Sequence, residues 1–171
     1  MGKGIHAAAI STAILAIVFV GGCASLQTAR SKPDDAASTI VFVCEHGSAK
    51  SVVAAAHFNR LAAEARLPYR AVSRGTKPDA AVAVAVKAGL AADGIDVSGW
   101  RPKLVTDEDI RNAAQVVSLA TELPTTKPFA KPKLLEWNDI PPVSEDYDRA
   151  RQEILKRVQA LVKSLSAAPG S

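Results

Sequence analysis

The sequence predicts an α/β domain: a small open parallel sheet of about four strands with helices on both faces. Two observations predict it. Residues 39–43 (TIVFV) form an unbroken β-branched and apolar run, the pattern of a strand buried on both faces. Further short apolar runs alternate along the chain with segments of helical period, and such alternation implies a parallel sheet covered by its crossovers.

The elements follow in order. Residues 50–66 carry Val52, Ala55, Phe58, Ala62 and Ala65 at three- and four-residue spacing, which is the stripe of a helix. Residues 69–73 make a second strand, and Gly75-Thr76-Lys77-Pro78 breaks the chain. Residues 80–92 have the length of a helix, although alternating Val and Ala over 80–86 also suit a strand. Asp93-Gly94 ends that element. Thr106 followed by Asp107, Glu108 and Asp109 is a helix start, with a capping hydroxyl and acids in the first turn. Residues 115–119 are a third strand. Residues 122–133 hold three prolines and form an exposed loop; residues 134–137 are a short fourth strand. Ser144 caps a last helix, whose buried stripe is Ala150, Ile154, Val158, Leu161 and Leu165.

A chain of 171 residues supports one domain with a real core. Its apolar content of 48% is mostly Ala and Val, which suits close helix-on-sheet packing. The formal charge is +4, but no Lys/Arg run exceeds two residues. The two aromatic–basic neighbourhoods, Tyr69-Arg70 and Trp100-Arg101, are far apart in sequence. Nucleic acid is therefore not an expected partner, and a monomer is expected. Cys23 and Cys44 sit in unlike contexts and are not read as a disulfide. His6, His46 and His57 form no ligand set, so neither a metal nor another cofactor is expected.

The first residues belong to targeting rather than to the fold. Lys3 precedes an apolar stretch at 7–20, then Gly21-Gly22-Cys23-Ala24-Ser25: a positive start, an apolar segment and a small-residue cleavage zone. Val20-Gly21-Gly22-Cys23 also resembles a bacterial lipobox, in which the cysteine is lipidated and becomes the first residue. The expectation is a signal at 1–22, a polar tether at 23–38, a domain at 39–166 and a tail at 167–171. The mature chain would be an exported bacterial lipoprotein, held at a membrane through lipid on Cys23. A soluble exported form and an uncleaved anchor are the alternatives. Cleavage removes one Lys, so the mature charge is 20 − 17 = +3.

The chemistry lies between the first strand and the first helix, in Cys44-Glu45-His46-Gly47-Ser48-Ala49-Lys50-Ser51. A loop closing onto a helix N-terminus aims backbone N–H groups inward, and with the helix dipole they bind an anion. A cysteine at the head of that loop sits in the same field, which favours its thiolate. A thiolate beside a bound tetrahedral oxyanion attacks it directly. Gly47, Ser48 and Ala49 are small enough for a tight wrap, and Ser51 can donate to the thiolate.

This segment resembles the signature of the low-molecular-weight protein tyrosine phosphatases and their arsenate reductase relatives: Cys, five residues, Arg, then Ser or Thr. Ser73-Arg74-Gly75-Thr76, Gly94-Ile95-Asp96-Val97-Ser98 and Trp137-Asn138-Asp139-Ile140-Pro141 resemble later stretches of that family, in the same order. The resemblance covers about residues 39–165. It implies a phosphate-binding loop formed by Glu45, His46, Gly47, Ser48, Ala49 and Lys50, with Cys44 as nucleophile and Ser51 as its stabiliser. It further implies Asp139 as general acid and Ser73 as a buttress, with Arg74 beside it where the family has Ala. The implied substrate is a phosphomonoester of the tyrosine phosphate type.

The departures are as informative. Lys50 replaces the signature Arg, giving one point charge in place of a two-donor fork. Gly47 replaces the usual loop Asn, and Ile140 separates Asp139 from Pro141. Three functions follow from the residues: phosphomonoester hydrolysis, arsenate reduction with an external thiol, and oxyanion binding without turnover.

Overall fold

The computed structural model describes residues 38–124 and 133–167. The predicted signal segment, Cys23, the tether through residue 37 and the tail from 168 lie outside the described residues.

Strands β1 (Ser38–Cys44), β2 (Tyr69–Gly75), β3 (Gln115–Ser118) and β4 (Leu134–Glu136) form one sheet in the order β2-β1-β3-β4. All three pairings are parallel. The helices are α1 (Lys50–Glu64), α2 (Val84–Ala92), α3 (Asp107–Asn112) and α4 (Tyr147–Ala167). The α/β sheet read from the sequence is therefore the one observed.

Strand alternation sorts the core into two layers. Ile40, Phe42 and Cys44 pack with residues of α1, α2 and α4. Val41 and Val43 face the other way, onto Val105, Ile110 and Ala113 around α3. Helix α1 lies between the sheet and α4, and buries Ser51 through Phe58 without a break. Its run of alanines makes that double contact possible, because small side chains let sheet and helix approach together. Phe42 then fills the centre, with the Phe58 ring at 5.9 Å and the Trp137 ring at 5.7 Å.

The sheet edge at β2 is closed by side chains. Asn59 of α1 donates to Ala71 O at 3.0 Å and accepts from Ala71 N–H at 2.7 Å. Beyond it, Gly75 exchanges backbone bonds with Lys103 and Val105. Capping of this kind prevents an edge strand from templating another chain.

Two helix starts differ from expectation. Helix α2 begins at Val84, after a non-helical stretch in which Ala83 N–H is tied to Ser48 O. The ambiguous residues 80–83 are thus neither helix nor strand. Helix α4 is capped by Asp146 rather than Ser144: its carboxylate accepts from Arg149 N–H, and its carbonyl from Ala150 N–H. The third start is as expected, with a reciprocal capping box between Thr106 and Asp109.

One polar network lies inside the helical layer. His57 is fully buried. Arg60 donates to its Nδ1 at 3.2 Å, which leaves the imidazole proton on Nε2, 3.3 Å from Asp93 Oδ2. Asp93 also takes the guanidinium of Arg151 from α4. Tyr147 crosses Gly89 of α2 so closely that a Cβ there would lie 2.1 Å from its ring. Burial, then Arg60, pushes the His57 pKa from 6.5 down to about 4, against the pull of Asp93.

The sign follows from proton counting. Between pH 6.5 and 4 the unfolded chain binds the extra proton, so stability is full above this window and falls as pH drops through it. The loss is about 3 kcal/mol at most. Denaturation midpoints measured from pH 7 to pH 4 should fall, and His57→Gln should flatten that slope. An unchanged slope in the variant would place the titrating group elsewhere.

Candidate active site

The site begins with the end of β1. Cys44 is its last residue and pairs with Gly75 of β2. From there the chain makes a loop whose carbonyls are all taken. Thr76 N–H donates to Cys44 O (3.1 Å), Lys77 N–H to Glu45 O (2.7 Å) and Asp79 N–H to His46 O (3.0 Å). The Ser73 hydroxyl donates to Gly47 O (3.2 Å) and Ala83 N–H to Ser48 O (3.1 Å). A trans peptide holds its C=O and the next N–H antiparallel. Five carbonyls fixed toward the 73–83 segment therefore turn the N–H groups of Glu45 to Ala49 the opposite way. Among the described residues these amides have no backbone or side-chain acceptor.

Helix α1 follows at Lys50. Its N-cap, Ala49, offers no side-chain cap, and no acid occupies the first turn. The dipole end of a 15-residue helix thus opens on the same space as the loop amides. Gly47 makes the wrap possible. It has φ +60°, and a Cβ on it would lie 2.8 Å from Gly75 N; a Cβ on Gly75 would lie 2.7 Å from Gly47 N. Both positions exclude a side chain because two backbones touch there.

Cys44 is almost buried, at 5% exposure. Its Sγ lies 3.1 Å from Ser51 Oγ, which lies 2.8 Å from Ser73 Oγ. With a thiol the protons run outward: S–H to Ser51, Ser51 to Ser73, Ser73 to Gly47 O. With a thiolate the two hydroxyls turn round: Ser51 donates to the sulfur and Ser73 to Ser51, which releases Gly47 O while the other four loop carbonyls stay anchored. The relay therefore has a ready donor for either state.

A cavity of about 610 Å³ opens over this loop. Cys44, Glu45, His46, Ser48, Ala49 and Lys50 form its loop side, and Ala83, Val84, Leu119, Pro142 and Val143 form apolar walls. No Phe, Tyr or Trp among the described residues lines it. Val84, at 83% exposure, stands at its rim. Ser48 donates to Asp79 Oδ2 at 2.5 Å, and His46 Nδ1 lies 3.5 Å from Asp79 Oδ1. Glu45 pairs with Lys77 at 3.3 Å.

The other expected residues are placed as follows. Lys50 lines the cavity while its Nζ donates to Ile140 O at 2.9 Å, so it ties the 137–141 loop to the start of α1. Asp139 is not among the cavity residues. It is 76% exposed and pairs at 2.6 Å with Arg157 of α4, whose guanidinium holds its carboxyl below the usual range. Arg74 turns from the loop to Asp109, with two bonds of 2.8 and 2.9 Å, and donates to Ser73 O. Asp79 was not singled out by the sequence, because it falls between the chain break at 75–78 and the element read at 80–92. The sole signal for it was its position after Gly75-Thr76-Lys77-Pro78.

Residues 39–133 match the family model described as low molecular weight phosphotyrosine protein phosphatase. No curated protein sequence matches. Among solved structures, an arsenate reductase from Archaeoglobus fulgidus is 30% identical, with a TM-score of 0.59 over 72% of this chain and 98% of that one. The thioredoxin-dependent arsenate reductase of Corynebacterium glutamicum is 25% identical, with a TM-score of 0.62 over 75% of this chain; the match spans 61% of that protein. A low molecular weight protein tyrosine phosphatase from T. tengcongensis shares the fold at 21% identity, with a TM-score of 0.67 over 74% and 99% of the two chains. With its cysteine at the head of an amide-lined loop and more than half its length inside the family model, the chain belongs to the low molecular weight phosphotyrosine protein phosphatase family.

Proposed function

We propose that this chain hydrolyses phosphomonoesters through a thiophosphate intermediate on Cys44. The observation that carries this reading is the set of loop amides turned away from the 73–83 segment, with Cys44 at the head of the loop and its Sγ 3.1 Å from Ser51 Oγ. The phosphoryl oxygens bind the amides and Lys50. Cys44 attacks phosphorus, an S–P bond forms, and the ester P–O bond breaks. Water then attacks phosphorus, the S–P bond breaks, and phosphate leaves with the thiolate restored. The apolar, non-aromatic walls suit a bulky uncharged group on the ester oxygen. The arsenate reductases among the similar structures support a second reading, in which the bound oxyanion is arsenate. Cys44 is the only cysteine among the described residues, so its adduct would be released by an external thiol.

The leaving oxygen needs a proton. His46 lines the cavity with Asp79 beside its Nδ1, whereas Asp139 is engaged by Arg157. In this reading His46 gives the proton and recovers it from water in the second step. Export completes the proposal: the segment at 1–22 is removed, and Cys23 carries lipid.

The primary test is phosphate release from aryl phosphates. Wild type should turn over and Cys44→Ser should not, while iodoacetate labelling of Cys44 at pH 7 should be blocked by phosphate. Arsenate reduction with an added thiol, without aryl phosphate turnover, would select the second reading; oxyanion binding without either would leave a binding module. In the same assay His46→Asn should slow phenyl phosphate much more than nitrophenyl phosphate. If Asp139→Asn shows that pattern instead, the proton comes from Asp139.

Lys50→Arg should raise kcat about tenfold or more by restoring a two-donor fork, with little change in phosphate inhibition. No change in either constant would remove Lys50 from the site. Mass spectrometry of the mature protein should find acylated Cys23 as its first residue; an intact Met1 would defeat the export reading.

A further inference from the structure

The two aromatic–basic neighbourhoods that lie apart in the sequence supply one groove. Arg70, Arg74, Trp100, Arg101 and Lys103 line a cavity of about 280 Å³ against β2, the edge strand. No Asp or Glu among the described residues lines it. Arg74 is neutralised there by Asp109. Arg70, Arg101 and Lys103 are exposed and make no ion pair among the described residues. Arg101 is also held in place, since one terminal nitrogen donates to Ser98 O (3.0 Å) and Trp100 O (2.9 Å). Its Nε and its other terminal nitrogen stay available as donors.

Three uncompensated cations around one concavity repel each other, and an anion with several acceptor oxygens relieves all three. We propose that this groove is a second oxyanion site, separate from the cavity over Cys44, and that it takes a phosphate-class group. Arg70, Arg101 and Lys103 supply the charge, and the half-buried Trp100 ring is one wall. The floor of the groove includes Gly47 and Ser73. Gly47 belongs to the catalytic loop, and Ser73 heads the hydroxyl relay that ends at Cys44. An anion in the groove therefore lies behind the loop, on the side of Ser73. The source of the phosphate group is either a soluble phosphate or the headgroup of an anionic lipid.

The experiment follows two sets of resonances in the ¹⁵N-labelled full chain, the Trp100 indole N–H and the amides of residues 45–49. Inorganic phosphate should shift both, with different midpoints. In the Arg70→Ala/Lys103→Ala double variant the Trp100 shift should be lost, and the loop amides should still titrate. Failure of the catalytic-loop reading would show only at the loop amides, so the two ideas fail separately. A second arm adds vesicles of anionic phospholipid or of phosphatidylcholine alone. Binding to anionic vesicles that drops in the double variant identifies a headgroup; a phosphate shift at Trp100 without such a drop identifies a soluble phosphate. A Trp100 resonance unmoved by phosphate, together with vesicle binding indifferent to Arg70 and Lys103, overturns the proposal.

Discussion

The outward anchoring of five consecutive carbonyls is the constraint on which the site depends. From Cys44 to Ser48 each C=O has a donor in the 73–83 segment. A loop so held cannot rotate its peptide planes, and the opposing N–H groups are fixed before any ligand arrives. Preorganised dipoles of this kind cost nothing to reorient when charge develops on a bound oxyanion. The anchoring also explains the two glycines. Loop and β2 end approach until Gly47 and Gly75 touch backbone to backbone, a contact that any Cβ would break.

The same anchoring gives β2 a functional as well as a structural task. Its last residues carry Ser73, which braces the loop through Gly47 O and reaches the nucleophile through Ser51. Arg74, next to it, is spent on Asp109, whose other bonds form the capping box of α3. A charge that could have crowded the catalytic loop instead joins the sheet edge to the opposite helical layer. Lys50 is similarly committed on one side. Its bond to Ile140 O links the start of α1 to the loop before α4, and a single ammonium then has fewer donors to offer an oxyanion than a guanidinium would.

Behind the site, α1 is held from two directions. Its alanines allow sheet and α4 to close on it, and the buried His57–Asp93–Arg151 network fixes its register against α2 and α4. Buried polar groups of this kind are costly unless paired. Here the neutral imidazole accepts from Arg60 at Nδ1, while its Nε2 lies 3.3 Å from Asp93 Oδ2 without a hydrogen bond, so the pairing is incomplete. The N-terminus of α1 is aimed at the loop because the rest of the helix cannot slide.

Much of this was legible in the residues themselves. The run at 39–43, the helical stripe that follows and the spacing from Cys44 to Ser51 determined the parallel sheet, the loop and the nucleophile, because these depend on local period and on residue size. Other features were decided by contacts between distant segments. Asp79 became a partner of Ser48 and His46 only when residues 76–83 folded back over the loop. Helix α2 started late because Ala83 was already bonded to Ser48. Asp146 displaced Ser144 as cap of α4 through the geometry of its turn. Asp139 met Arg157 because the end of β4 and the placement of α4 bring them together, and Arg70 met Lys103 because the chain after α2 returns to the edge of β2. No periodicity encodes such meetings: each pairs residues from segments whose separation is set by the closed sheet.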